Sequence, residues 1–163
     1  LMSMELTKRD INLATIYRPL NNIFLNPFME YLRKKYICQN QIKKGLLGVK
    51  DSIQYIKNNF SIALMIDQRV SEGKRVPFFG HMALTTTMPA QIALKFNLDI
   101  VPIYITRKPN DDFKMEVYEP IKILKHNDSQ SNKLNISIKL NKILEQMISR
   151  NPGQWIWTHN RWK

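Results

Sequence analysis

The sequence predicts a mixed α/β fold, a largely parallel sheet flanked by helices. Apolar runs short enough for strands alternate, almost throughout, with stretches whose apolar residues recur every three or four positions. Proline, glycine and asparagine mark the joints between them, and charged residues stand just past several of the runs.

Taken in order, residues 1–9 have helical spacing, and Ile11, Leu13 and Ile16 form an apolar run that ends as a strand at Tyr17. Pro19, Asn21 and Asn22 then break the chain, so Arg18 stands where strand passes into loop. Phe24, Phe28, Tyr31 and Leu32 predict a helix whose far end carries Arg33, Lys34 and Lys35, where cations suit the helix dipole. Gly45 and Gly48 introduce a second amphipathic helix over residues 49–57, carried by Val49, Ile53 and Ile56. Residues 62–66 read as a buried strand with Asp67 at its carboxyl end, followed by a polar loop over 67–75 and a short apolar run, 76–79, before Gly80.

Thr85, Thr86 and Thr87 are expected to cap a helix that has Pro89 in its first turn and runs through Ala90, Ala93 and Leu94 to Phe96. Residues 100–105 form another apolar strand, and 113–118 alternate like a half-exposed one before Pro120. The polar segment 126–132 is predicted as a loop. Ile136, Leu140, Ile143, Leu144 and Met147 then mark a long amphipathic helix. No repeat, low-complexity tract or linker interrupts the series.

At 163 residues and 44% hydrophobic content, the chain can bury a core and is too apolar for a disordered tail. Its 25 Lys+Arg against 13 Asp+Glu give +12, which favours anionic partners: nucleic acid, anionic lipid or an acidic carrier protein. Cys38 is the only cysteine, so no internal disulfide forms and a reducing, cytoplasmic setting is expected. No stretch approaches the roughly 18–20 apolar residues of a membrane-spanning helix, and no signal-peptide pattern opens the chain. The start at Leu1, already inside an apolar helix pattern, predicts a portion of a longer domain, with any membrane anchor upstream.

Ligands of open α/β sheets gather at the carboxyl ends of strands, and Arg18, Asp67 and Arg107 all occupy predicted strand ends. Each alone could simply end a strand and solvate a loop; their shared position favours a site. The segment Asp67-Gln68-Arg69-Val70-Ser71-Glu72-Gly73-Lys74-Arg75 could hold a phosphate or a metal. It lacks the first glycine and the hydroxyl residue of a nucleotide-binding P-loop, and Asp67 with Glu72 has no His or Cys beside it, so neither a cofactor nor a metal is expected. Arg33, Lys34, Lys35, Lys43, Lys44 and Lys50 lie in a stretch, 32–50, without one acid, either a solvated face or a surface for anions. His81, His126 and His159 have no Asp or Glu four or five residues on, and none can be placed in a catalytic triad. Trp155, Trp157 and Trp162 with Arg161 suit stacking on bases, a core edge or a membrane interface.

Three blocks of the chain resemble the lipid A late acyltransferases, the lauroyl and myristoyl transferases of the lysophospholipid-acyltransferase-like superfamily. The first is Ile16-Tyr17-Arg18-Pro19-Leu20-Asn21-Asn22. The second runs from Asp67-Gln68 through Glu72-Gly73 to Val76-Pro77-Phe78-Phe79-Gly80 and on through Thr85-Thr86-Thr87 to Val101-Pro102 with Arg107. The third is Asn151-Pro152 with Gln154-Trp155 and His159-Asn160-Arg161-Trp162. The resemblance implies a glycerolipid-acyltransferase-like fold missing its N-terminal part, residues 1–163 being the C-terminal portion of a single acyltransferase domain.

It implies transfer of a fatty acyl group from acyl carrier protein to a hydroxyl of an anionic lipid A precursor of the Kdo-lipid IVA type, in lipopolysaccharide biosynthesis. The setting implied is the membrane surface at the cytoplasmic face of the bacterial inner membrane, with no nucleic-acid partner. The family's HxxxxD/E motif, whose His acts as base, is expected upstream of Leu1, leaving these residues inactive alone. By the same resemblance Arg33 stabilises the oxyanion or orients the donor, Asp67 fixes a neighbouring arginine or the acceptor, and Arg18, Gln68, Arg69 and Arg107 bind substrate. Two alternatives stay open: a lysophosphatidate acyltransferase, whose usual Phe-Pro-Glu-Gly block is absent here, and a basic nucleic-acid-binding module, for which no motif is present.

Overall fold

Parallel strands need crossover connections, and the first part of the chain supplies two of them as helices. The computed structural model describes residues 1–123 and 129–163, and these fall into two compact units, Leu1–Met65 and Ile66–Lys163. The first unit runs α1 (Met2–Thr7), β1 (Leu13–Tyr17), α2 (Leu25–Tyr36), β2 (Asn40–Lys43), α3 (Leu46–Lys57) and β3 (Ser61–Ala63). Its sheet has the order β2-β1-β3, all parallel, with Ala14 opposite both Asn40 and Ile62. Leu13, Cys38 and Ala63 are buried together under Met2 and Leu6 of α1. The Cys38 thiol donates to the Leu13 carbonyl at 3.2 Å.

The short polar sequence of β2 gives no strand signal. Ile42, fully buried, and the ladder to β1 make it one. Gly48 lets α3 close over the end of β2: a Cβ there would lie 1.9 Å from the Lys43 carbonyl oxygen. The strand predicted over 62–66 ends at Ala63, because the register with β1 stops where Thr15 meets Ala63.

The second unit contains β4 (Lys74–Phe78), β5 (His81–Thr85), α4 (Met88–Phe96), β6 (Ile103–Arg107), β7 (Phe113–Val117) and α5 (Ser129–Arg150). Its strands pair as two antiparallel hairpins, β4 with β5 and β6 with β7. The class is mixed α/β, as the sequence predicts, and the parallel pairing belongs to the first unit. Phe79 and Gly80 join β4 to β5 with positive φ at both residues, 49° and 75°, the combination a two-residue hairpin turn needs. Thr85 lies in β5 and Thr87, at the N-cap position, makes no capping bond with its side chain; Thr86 Oγ1 instead accepts from the Met88 amide at 3.3 Å, with Pro89 in the first turn and Asn97, left-handed at φ 54°, at the other end.

Helix α5 packs on both β4 and α4. Leu144 and Ile148 meet Phe78 and Ala83 in one cluster, while Ile136 and Leu140 meet Ala90 and Ile121 in another. Because α5 begins at Ser129, residues 129–132 are helical and not loop. His126, from the same predicted loop, lies outside the described residues. The strand expected over 100–105 is displaced to Ile103–Arg107, where pairing with β7 is available. No helix among the described residues is long and apolar enough to cross a membrane.

Candidate functional site

The carboxyl end of β1 in the first unit collects a polar knot. Asn26, Glu30 and Arg33 are spaced four and three apart, so they share one face of α2. The Tyr17 hydroxyl donates to Glu30 Oε1 at 2.8 Å, Asn26 Nδ2 donates to the same oxygen at 2.7 Å, and Lys43 Nζ is 3.1 Å from it. These three donors hold the Glu30 carboxyl at about 2, well below its ordinary range. Burial, and then the bond to that carboxylate, push the Tyr17 phenol up to about 12. At neutral pH, then, Tyr17 is a neutral phenol and Glu30 a carboxylate already engaged by donors. Neither is suited to accept a proton.

Arg33 differs from its neighbours. Its guanidinium carbon lies 5.0 Å from the centre of the Tyr17 ring, and Nη1 is buried without a hydrogen-bond partner. A stacked guanidinium with an unspent N–H is an oriented donor for an oxyanion or a phosphate oxygen. Arg18 follows β1 directly and is exposed. Arg18 and Arg33 therefore flank Tyr17, one by sequence and one by stacking.

The second unit holds the remaining candidates. Asp67 is half-buried, and its Oδ1 is buried without a partner; Gln68 and Arg69 beside it are exposed. Asp67 lies beyond the last residue of β3, so it does not mark that strand's end as the sequence suggested. Arg107 does end a strand, but one in the β6–β7 hairpin, and its guanidinium is engaged by Asp111. The Arg107 backbone is bonded both ways to Gln154: the amide donates to Oε1 at 3.0 Å, and the carbonyl accepts from Nε2 at 2.8 Å. Of the three predicted strand-end residues, only Arg18 directly follows a strand of the parallel sheet. His81 opens β5 and is exposed, as is His159. Among the described residues no three His, Cys, Asp or Glu side chains come together as a metal site.

Arg161 is fully buried. Its Nη2 donates to Thr85 Oγ1 at 3.0 Å and to Asn141 Oδ1 at 3.1 Å, while Asn141 Nδ2 donates to the Pro77 carbonyl at 2.9 Å. The guanidinium carbon sits 4.1 Å from the centre of the Phe78 ring, and Trp162 stacks on Phe78 at 5.6 Å between centres. Burial lowers the Arg161 pKa, against the opposing pull of the Asp67 and Glu145 carboxylates. Of the readings open to the tryptophans, Trp155 and Trp162 are packed on a core cluster, whereas Trp157 is half-exposed.

Sequence reasoning missed Glu30 and Asn141. The signals were present: Glu30 shares a polar stripe with Asn26 and Arg33, and Ser137 and Asn141 stand at the spacing of Leu144 and Ile148 on the buried face of α5.

A parallel sheet with helical crossovers and an arginine held at its carboxyl edge gives an α/β fold of the acyltransferase-like kind. The sequence model of the bacterial lipid A biosynthesis acyltransferase family matches residues 1–163, and the chain belongs to that family of acyltransferases. Compared with curated proteins, the chain matches none.

Proposed function

We propose that the protein transfers a fatty acyl group from acyl carrier protein to a hydroxyl of a Kdo-lipid IVA type precursor, at the cytoplasmic face of the inner membrane, as part of one acyltransferase domain. The acceptor oxygen attacks the thioester carbonyl, a C–O bond forms, the C–S bond breaks, and the thiolate of the carrier takes up a proton. The tetrahedral intermediate carries an oxyanion that needs a preorganised donor. Arg33 fills that role or orients the donor thioester. Arg18, Gln68, Arg69 and Arg107 hold the phosphates and acidic sugars of the acceptor, for which the planar guanidinium fork is well shaped. Asp67 fixes a neighbouring arginine or the acceptor. The base is left to the His of the HxxxxD/E motif, which these 163 residues do not contain.

The observation that supports this reading best is the Arg33 Nη1, buried and without a partner, with its guanidinium stacked on Tyr17 of the first block that resembles the family. Binding tests it on the chain as it stands. Radiolabelled Kdo-lipid IVA is expected to bind and lysophosphatidate to bind more weakly, with Arg18→Ala and Arg69→Ala each lowering retention about tenfold or more and Arg33→Ala lowering it little. Equal binding of the two lipids, or full retention in both Arg18→Ala and Arg69→Ala, would remove the acceptor assignment. Acyl transfer by the 163 residues alone is expected to be negligible, and robust turnover would overturn the role given to the absent His.

A further inference from the structure

Helix α2 has its polarity inverted. Its polar stripe, Asn26, Glu30 and Arg33, faces the strand ends, where Tyr17 and Lys43 bind it. The opposite stripe, Phe24, Phe28 and Tyr31, faces outward, and no residue of the helix is buried. Phe24 is 85% exposed and Ile23 75%, with Leu25 and Phe28 also more than half exposed. A lone exposed aromatic needs no explanation, whereas four contiguous large apolar side chains at one tip do.

The tip is built and held. Asn22 Oδ1 accepts from the Phe24 amide at 3.0 Å and from the Leu25 amide at 3.1 Å, and Asn26 Oδ1 accepts from the Leu20 amide at 2.8 Å. Cations follow in the last turn of the same helix: Lys34 and Lys35 are exposed, and Lys35 Nζ lies over the Tyr31 and Tyr36 rings, donating to the Tyr31 hydroxyl at 3.2 Å. From Ile11 to Lys50 the only acid is Glu30, and its carboxylate is already engaged by Lys43. Apolar side chains at the tip, amphipathic Tyr and Lys behind them and no free carboxylate are the arrangement an anionic lipid interface selects.

We propose that residues 20–36 dock the protein on an anionic bilayer, with Ile23, Phe24, Leu25 and Phe28 inserted among the acyl chains and Lys34 and Lys35 at headgroup phosphates. The inference rests on the membrane location given under the proposed function, and it names the face that makes the contact. It is read by vesicle binding, so its failure is separable: selective binding of Kdo-lipid IVA without α2-dependent vesicle binding sinks this inference only, and α2-dependent vesicle binding without selectivity for Kdo-lipid IVA sinks only the proposed reaction.

The test is flotation of the purified chain with vesicles of phosphatidylcholine alone or mixed with phosphatidylglycerol. The wild type is expected on the anionic vesicles. F24S/F28S is expected to bind about a hundredfold more weakly with its thermal unfolding midpoint unlowered, because both side chains are already in water. K34Q/K35Q is expected to lose about thirtyfold at low salt and little at high salt. The proposal is overturned if the wild type ignores both vesicles or if F24S/F28S floats as well as the wild type. It is also overturned if the double substitution instead abolishes a dimer seen by sedimentation, or binding to acyl carrier protein, while vesicle binding persists.

Discussion

The two units of this chain treat apolar surface in opposite ways. Thirteen of the twenty large hydrophobic side chains left exposed among the described residues lie in Leu1–Met65, and only five of the sixteen buried hydrophobic residues, alanines and Cys38 included, do. The longer unit, Ile66–Lys163, reverses the balance, with eleven buried and seven exposed. The same contrast holds for charge. In the first unit the arginine of interest stacks on an aromatic at a sheet edge, while in the second an arginine is enclosed by the core. A unit that hides a cation and exposes little is organised for its own stability. One that exposes aromatics and keeps an unspent guanidinium donor is organised for something outside it.

The comparison is broken most directly at Arg161. Truncation by Arg161→Ala removes the donor that Thr85 and Asn141 share and leaves a cavity against Phe78, and it is expected to cost about 3–4 kcal/mol. Arg161→Met refills the volume and removes the two guanidinium nitrogens that have no partner, so its cost should be smaller, about 1–2 kcal/mol. Urea unfolding followed by tryptophan fluorescence measures both, since all three tryptophans lie in that unit. Equal losses in the two variants would show that the charge, not the packing, is what the core requires.

A second, smaller effect belongs to the knot in the first unit. Glu30→Gln and Tyr17→Phe are each expected to cost about 1 kcal/mol at neutral pH. The sign of the pH dependence separates them. Because the folded Glu30 carboxyl titrates at about 2 instead of near 4.5, its contribution is complete above about 4.5 and is lost as the pH falls towards 2. Because the Tyr17 phenol is raised to about 12, its contribution is complete below its ordinary value of 10 and is lost as the pH rises towards 12. Glu30→Gln should flatten the acid limb of the unfolding midpoint, and Tyr17→Phe the alkaline one. Glu116 in the other unit is also held at about 2, by Arg150 and Lys114, so part of the acid limb should survive Glu30→Gln. Added salt should remove part of that remainder, because those cations are exposed.

What the sequence conveyed about each unit follows from the physics of the elements. Helices α2 and α5 were legible because apolar residues recur at three and four. Periodicity tells which residues share a face, but not which face meets the sheet, and α2 turns its polar stripe inward. Strands β2 and β5 were not legible, since Asn40–Lys43 and His81–Thr85 are strands through pairing that lies outside them. The Tyr-Arg-Pro block located the Tyr17 edge correctly, whereas Arg161, quoted among the closing motif residues, gave no sign that it would be enclosed. A guanidinium's burial depends on what surrounds it in space, and Thr85 and Asn141 are distant in sequence.

The smallest effect sharpens the contrast between an arginine that stabilises and one that is only held in place. Arg107 is exposed and pairs with Asp111 four residues on, a local contact between two side chains that both keep most of their water. Such a pair gains little Coulomb energy and orders two side chains, so Arg107→Ala should change stability by less than about 0.5 kcal/mol. The turn is fastened by the Lys108 amide, which donates to the Asp112 carbonyl at 2.7 Å, and by the bonds between the Arg107 backbone and Gln154, and the substitution leaves them intact. Binding of Kdo-lipid IVA should nevertheless fall, because the guanidinium's remaining donors are free to meet a phosphate once the turn holds the residue out. Lost binding with an unmoved urea midpoint would place Arg107 with the acceptor-holding residues. An unchanged affinity would remove it from that set, and any stability loss above the expected bound would show that the Asp111 pair carries the turn.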